Sequence, residues 1–162
     1  MFWKQKFTGL KTLYLDNNAI LKIENLDGQE HLHSLYLSRN LITKIENLEA
    51  LAKLEVLDLS NNNISTLSGL PPLLSLKVLN VAKNKLQKKE DLQSITSCVC
   101  LLSVDLVENM ISSVSALEPI FSLPLRQLRI EGNPLQEGID HCKNHILSHH
   151  GLHIANLDGL PV

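Results

Sequence analysis

Leu10, Leu32, Leu54 and Leu76 stand 22 residues apart, and Asn18, Asn40, Asn62 and Asn84 keep the same interval. Each interval carries the order L-x-x-L-x-L-x-x-N-x-(I/L), so the chain repeats one short unit in register. Self-similarity at a period of about 20–50 residues signals a stacked array rather than a closed globule. Leu13 and Leu15, Leu35 and Leu37, and Leu57 and Leu59 alternate with polar residues, the period of a short strand with one buried face. Ile20 and Ile23, Ile42 and Ile45, and Ile64 and Leu67 turn back inward further along each unit. No unit can bury these side chains alone, so the coils must stack and share a core. The asparagine is polar at a position facing that core. Its amide can hydrogen-bond the turn backbone, which predicts a ladder of asparagines along the stack.

The pattern is that of a leucine-rich repeat and predicts an α/β solenoid, or horseshoe. Its parallel sheet lines the concave side, and loops or short helices form the convex side. The reading is one domain over 1–162, with a lead-in at 1–9, six repeats at 10–133 and a C-terminal helical cap at 134–162. Repeat four, from Leu76, has 25 residues, and the spacing of Leu92, Ile95 and Val99 predicts a short convex helix there. Repeat five carries its own Asn109, and repeat six opens at Leu125 and leaves the pattern at Pro134. Glu137 to His153 predicts a helix over the last coil, followed by a returning, strand-like tail. Phe2, Trp3 and Phe7 precede the first repeat. They cap the open end, or a preceding half-repeat is missing.

Charge offers no overall case for nucleic acid or an anionic membrane, since 15 Lys and Arg face 17 Asp and Glu. The start, MFWKQKF, is too short and charged for a signal peptide, and no apolar run reaches the length of a membrane span. Three cysteines, Cys98, Cys100 and Cys142, form no C-x-x-C pair, which favours a reducing compartment and a soluble, cytoplasmic monomer. No catalytic constellation, cofactor motif or small-molecule site emerges. Glu90 and Asp91 suit the start of a helix, where acids meet the positive end of its dipole. His141, His145 and His149, beside Cys142, have a helical spacing that can bind zinc or copper, but a closed site needs four converging ligands, so a solvated helix face is the favoured reading and no metal site is expected. Lys77, Lys83, Lys85, Lys88 and Lys89 read as a solvated rim, since Glu90 and Asp91 interrupt them and no aromatic is interleaved.

Strand alternation points to a recognition surface. One solvent-facing column holds Tyr14, Tyr36, Asp58, Asn80, Asp105 and Arg129, and the next holds Thr12, Ser34, Val56, Val78, Ser103 and Gln127. Both tyrosines therefore lie on the concave face. Amphipathic aromatics are enriched at interfaces, although cross-strand aromatic pairs also stabilise sheets by themselves. The expected protein-binding set is Tyr14, Tyr36, Val56 and Val78 at its centre, with Asp58, Asn80, Asp105 and Arg129 setting specificity.

The I-E-N-L segments at Ile23–Leu26 and Ile45–Leu48 resemble the 22-residue class found in phosphatase-1 regulatory subunits, axonemal dynein light chain and spliceosomal leucine-rich repeat proteins. Within that class the chain most resembles the axonemal dynein assembly factors of the leucine-rich repeat type. The residues carrying this are TGLKTLYLDNN, the two K-I-E-N-L units, LKVLNVAKNKL and the lengthened EDLQSITSCVCLLSVDL, with G-N-P at Gly132–Pro134 and L-D-G at Leu157–Gly159. The resemblance implies a non-catalytic scaffold in cytoplasmic preassembly of dynein arms for cilia or flagella, with dynein heavy chains and chaperones as partners. A phosphatase regulatory subunit, a structural dynein light chain or a ribonucleoprotein component are the other roles it implies.

Overall fold

The computed structural model describes residues 9–135, 139–148 and 154–161. Six three-residue strands open the six repeats: β1 (Thr12–Tyr14), β2 (Ser34–Tyr36), β3 (Val56–Asp58), β4 (Val78–Asn80), β5 (Ser103–Asp105) and β6 (Gln127–Arg129). They pair in chain order and all in parallel, with equivalent repeat positions opposite one another. Parallel neighbours need a long crossover, and here the rest of each coil supplies it. The fold is a leucine-rich repeat solenoid.

The middle residue of each strand points into the stack. Leu35, Leu57, Leu79, Val104 and Leu128 are fully buried, joined by Ile42, Leu48, Leu51, Ile64 and Leu67 from the convex side into one continuous core. The first coil is less covered, and Leu13, Leu15 and Ile20 are only half-buried. Phe2, Trp3 and Phe7 lie outside the described residues.

The asparagine ladder joins each coil to the one before it. Asn62 shows the scheme: its Nδ2 donates to the carbonyls of Leu37 and Leu59, both at 3.0 Å. Its Oδ1 accepts the N–H of Ile42 at 3.0 Å. Asn40, Asn84, Asn109 and Asn133 repeat this toward Ile20, Ile64, Leu86 and Ile111. Among the described residues Asn18, in the first coil, donates to its own turn, at Leu15 and Asp16.

The lengthened fourth repeat departs from the expected helix. α1 (Lys89–Leu92) is a single turn that passes into a 3₁₀ segment, Gln93–Ser97. Three residues per turn put side chains at i, i+3 and i+6 in one column. Leu92, Ile95 and Cys98 are therefore buried, while Val99 is 56% exposed and belongs to the surface. Glu90 and Asp91 do lie in the first turn. Asp91 Oδ2 accepts the N–H groups of Gln87 and Lys88 at 3.1 Å each. Repeat five crosses its convex side as a nine-residue 3₁₀ segment, Val114–Ser122.

At the C-terminal end α2 (Ile139–Ser148) buries Ile146 fully, and the His145 ring lies 6.4 Å from that of Phe121 on the Val114–Ser122 segment. The tail does not return at once. β7 (Asn156–Leu157) first adds a seventh parallel rung on β6, with Leu157 opposite Leu128, and only β8 (Leu160–Pro161) turns back antiparallel. Among the described residues no helix is long and apolar enough to cross a membrane.

One core position breaks the repeat. Gln29 occupies the place that Leu51 and Leu73 fill in the next two coils. It is 1% exposed, and its Oε1 has no hydrogen-bond partner among the described residues. A buried unsatisfied acceptor costs about 1–3 kcal/mol, whereas leucine restores the apolar column. Gln29→Leu is expected to stabilise the protein by about 1–2 kcal/mol, read as a higher urea midpoint at an unchanged slope. A lower midpoint would show that the amide is needed where it stands.

Candidate protein-binding face

The parallel register builds the concave face as two side-by-side columns. Tyr14 and Tyr36 are opposite on β1 and β2, and their rings stack at 4.7 Å with 9° between planes. Tyr14 is nevertheless 70% exposed, so the stack covers one of its faces and leaves the rest to solvent. Val56 and Val78 are opposite on β3 and β4, half-buried in the adjoining column. The four expected central residues thus share one end of the sheet.

The polar members of the column behave differently from one another. Asp58, Asn80 and Asp105 each turn Oδ1 back to accept the N–H two residues on, at Ser60, Ala82 and Val107. Arg129 reaches across to Asp105, with Nη1 2.8 Å from Oδ2. Arg129 therefore serves an internal ion pair, which lowers the charge it can offer a partner. In the neighbouring column Ser103 Oγ donates to Gln127 Oε1 at 3.1 Å, and Thr12 and Ser34 sit beside the tyrosines on β1 and β2.

Sequence reading by columns missed the flank. Glu55 and Lys77 precede β3 and β4 at the same repeat position and meet at 2.7 Å. The Lys77 hydrogen bond, and then its charge, hold the Glu55 carboxyl below the usual range. The signal was present as opposite charges 22 residues apart, since equal repeat positions land on adjacent strands. The lysine cluster is divided in the same way. Lys83 pairs with Glu108 at 3.1 Å and Lys89 with Glu118, so three of the five lysines are matched by carboxylates.

The other candidates do not converge. His141 is exposed on α2, His145 packs toward Phe121, and His149 and the side chain of Cys142 lie outside the described residues. Among the described residues no three His, Cys, Asp or Glu side chains are grouped to hold a metal ion. Cys98 is buried with its sulfur 3.6 Å from the Pro71 carbonyl oxygen, and burial pushes its thiol up, away from the reactive thiolate. Cys100 is exposed.

Residues 30–72 match the family described as Leucine Rich repeats (2 copies). No curated protein matches the sequence. Among solved structures, the chain is similar to one in the crystal structure of the Drosophila melanogaster SNF/U2A' complex. The two share 22% identity and a TM-score of 0.59 over 93% of this chain and 74% of that one. Identity at that level carries the fold, and function has to be argued from the face itself.

Proposed function

We propose that the chain is a non-catalytic protein-binding scaffold that uses the concave sheet, and that it serves cytoplasmic preassembly of axonemal dynein arms. The observation carrying the binding half is the exposed Tyr14–Tyr36 stack beside Val56 and Val78. An aromatic surface with hydroxyl tips, rimmed by polar residues, is the composition of an interaction hot spot. Solenoids bind through this face because it is wide, stiff and free of convex loops. The assembly half rests on the resemblance of the repeats and of the lengthened EDLQSITSCVC segment. Dynein heavy chains and the chaperones that fold them are the partners it implies.

The pairing of Lys77, Lys83 and Lys89 with acids argues against a ribonucleoprotein role driven by charge. The likeness to a chain of the SNF/U2A' complex makes membership of a stable protein complex of another kind the second reading.

Tyr14→Ala combined with Tyr36→Ala separates binding from mere sheet support. A cross-strand aromatic pair stabilises a sheet by only about 0.2–1 kcal/mol, so the melting curve should move little. Hot-spot truncation costs about 2 kcal/mol or more in binding, so partner recovery should fall at least about tenfold. Quantitative capture from the cytosol and the axonemes of a flagellated cell is the measurement. Dynein heavy chains lost with the double variant support the reading; a phosphatase catalytic subunit, splicing proteins or stable axonemal residence would replace it.

A further inference from the structure

We propose that Asp58 binds an arginine of the partner protein, presented on a helix that lies in the trough between Tyr36 and Arg129. This rests on the reading of the concave face as the binding surface and adds the chemistry of what it takes.

The column supplies the shape. In register across β2 to β6 stand Tyr36, Asp58, Asn80, Asp105 and Arg129. The two ends are long side chains and the middle is short, since Asp58 and Asn80 fold Oδ1 back onto Ser60 and Ala82. Adjacent strands lie about 4.8 Å apart, so β2 to β6 spans roughly 19 Å. An α-helix with its side chains is about 10–12 Å across and fits along such a trough. Val56 and Val78 in the adjoining column give it an apolar floor.

The charge comes from a comparison within the same column. Asp58 and Asp105 have the same backbone contact, with Oδ1 on the N–H two residues ahead. At Asp105 the other oxygen takes the guanidinium of Arg129 from the next strand at 2.8 Å. At Asp58 the next strand offers Asn80, and the carboxylate has no cation within ion-pair distance among the described residues. Nearby Glu55 is already matched by Lys77. Within this column Asp58 is thus the carboxylate left free to pair with a cation from a partner. The neighbouring Tyr36 selects arginine over lysine, because a planar guanidinium can pair with the carboxylate while lying against the ring.

The probe is a display library of helical peptides about 15 residues long, one face randomised, selected on the whole chain. Enriched sequences should carry an arginine at one fixed position among apolar residues at i±3 and i±4. Replacing that arginine by its neutral isostere citrulline should weaken binding about tenfold or more in fluorescence anisotropy, and Asp58→Asn should do the same. Asp58→Asn keeps the backbone acceptor, as Asn80 demonstrates at the next rung, so circular dichroism should show an intact fold. Lys89→Gln, on the convex side where that lysine pairs with Glu118, should leave binding within about threefold. Peptides that lose binding with the tyrosine pair but show no arginine, or tolerate Asp58→Asn, sink this inference and leave the concave reading standing. Peptides indifferent to both sets of variants, or no enrichment at all, remove both.

Discussion

Asn62→Ala is expected to lower the unfolding free energy by about 3–5 kcal/mol, a large share of the roughly 5–15 kcal/mol that holds a domain together. The bond ledger locates the loss. The carbonyls of Leu37 and Leu59 are each served twice in the ladder, and keep Asn40 Nδ2 and Asn84 Nδ2 respectively as donors. The carbonyl of Ser60 keeps the N–H of Arg39. The N–H of Ile42 has only Asn62 Oδ1 and is left buried and unpaired. That orphan costs about 1–3 kcal/mol, and the space vacated by a nearly buried side chain adds to it. The break also falls between two coils. Stability in a stacked array is a sum of nearest-neighbour terms, so the urea transition should broaden as well as move.

Asn62→Asp separates hydrogen bonding from shape. A carboxylate would keep the acceptor for Ile42 but set its charge against carbonyl oxygens, which raises its folded pKa above the unfolded value of about 3.9. The folded state then binds the proton more tightly, so stability is fullest below the unfolded pKa and is lost as pH rises through the folded one. The deficit against the parent should shrink between pH 7 and pH 4. A deficit independent of pH would mean that the carboxyl escapes to solvent.

Much of this architecture was legible because the repeat makes one inference hold many times. Alternation identified Leu35, Leu37, Leu57 and Leu59 as core, and the ladder asparagines were read from spacing alone. Position in a column also put Tyr14 against Tyr36. What failed to show were properties of conformation rather than composition. The residue before each ladder asparagine is left-handed at Asn17, Arg39, Asn61, Lys83 and Glu108. Asparagine tolerates that region, but arginine, lysine and glutamate give no such hint. Val99 was misplaced because apolar spacing cannot distinguish three residues per turn from 3.6 over so short a run. In the candidate site, Arg129 was read as available charge because its partner is contributed by a different repeat.

Gly69→Ala is the second large effect, and here repeat reading and structure give opposite answers. Gly69 stands where the I-E-N-L units have Asn25 and Asn47. Those asparagines have φ of 64° and 59°, and Asn47 Nδ2 donates to the Ile23 carbonyl at 2.6 Å. Consensus would therefore favour Gly69→Asn as a repair. The glycine, however, lies so close to the previous coil that a Cβ would fall 1.7 Å from the Ile45 carbonyl oxygen and 2.8 Å from its carbon. Both atoms are backbone, so no rotamer change relieves the contact, and the two coils must part. Overpacking typically costs about 1–3 kcal/mol, and with a rigid partner the expected loss is about 3 kcal/mol or more. Gly69→Asn should match it unless the segment adopts the left-handed turn of the earlier coils, so the two variants are decided together by urea melts. Equal, large losses mean that close approach rules this position; a harmful alanine beside a harmless asparagine means that the turn can switch to the form its neighbours use.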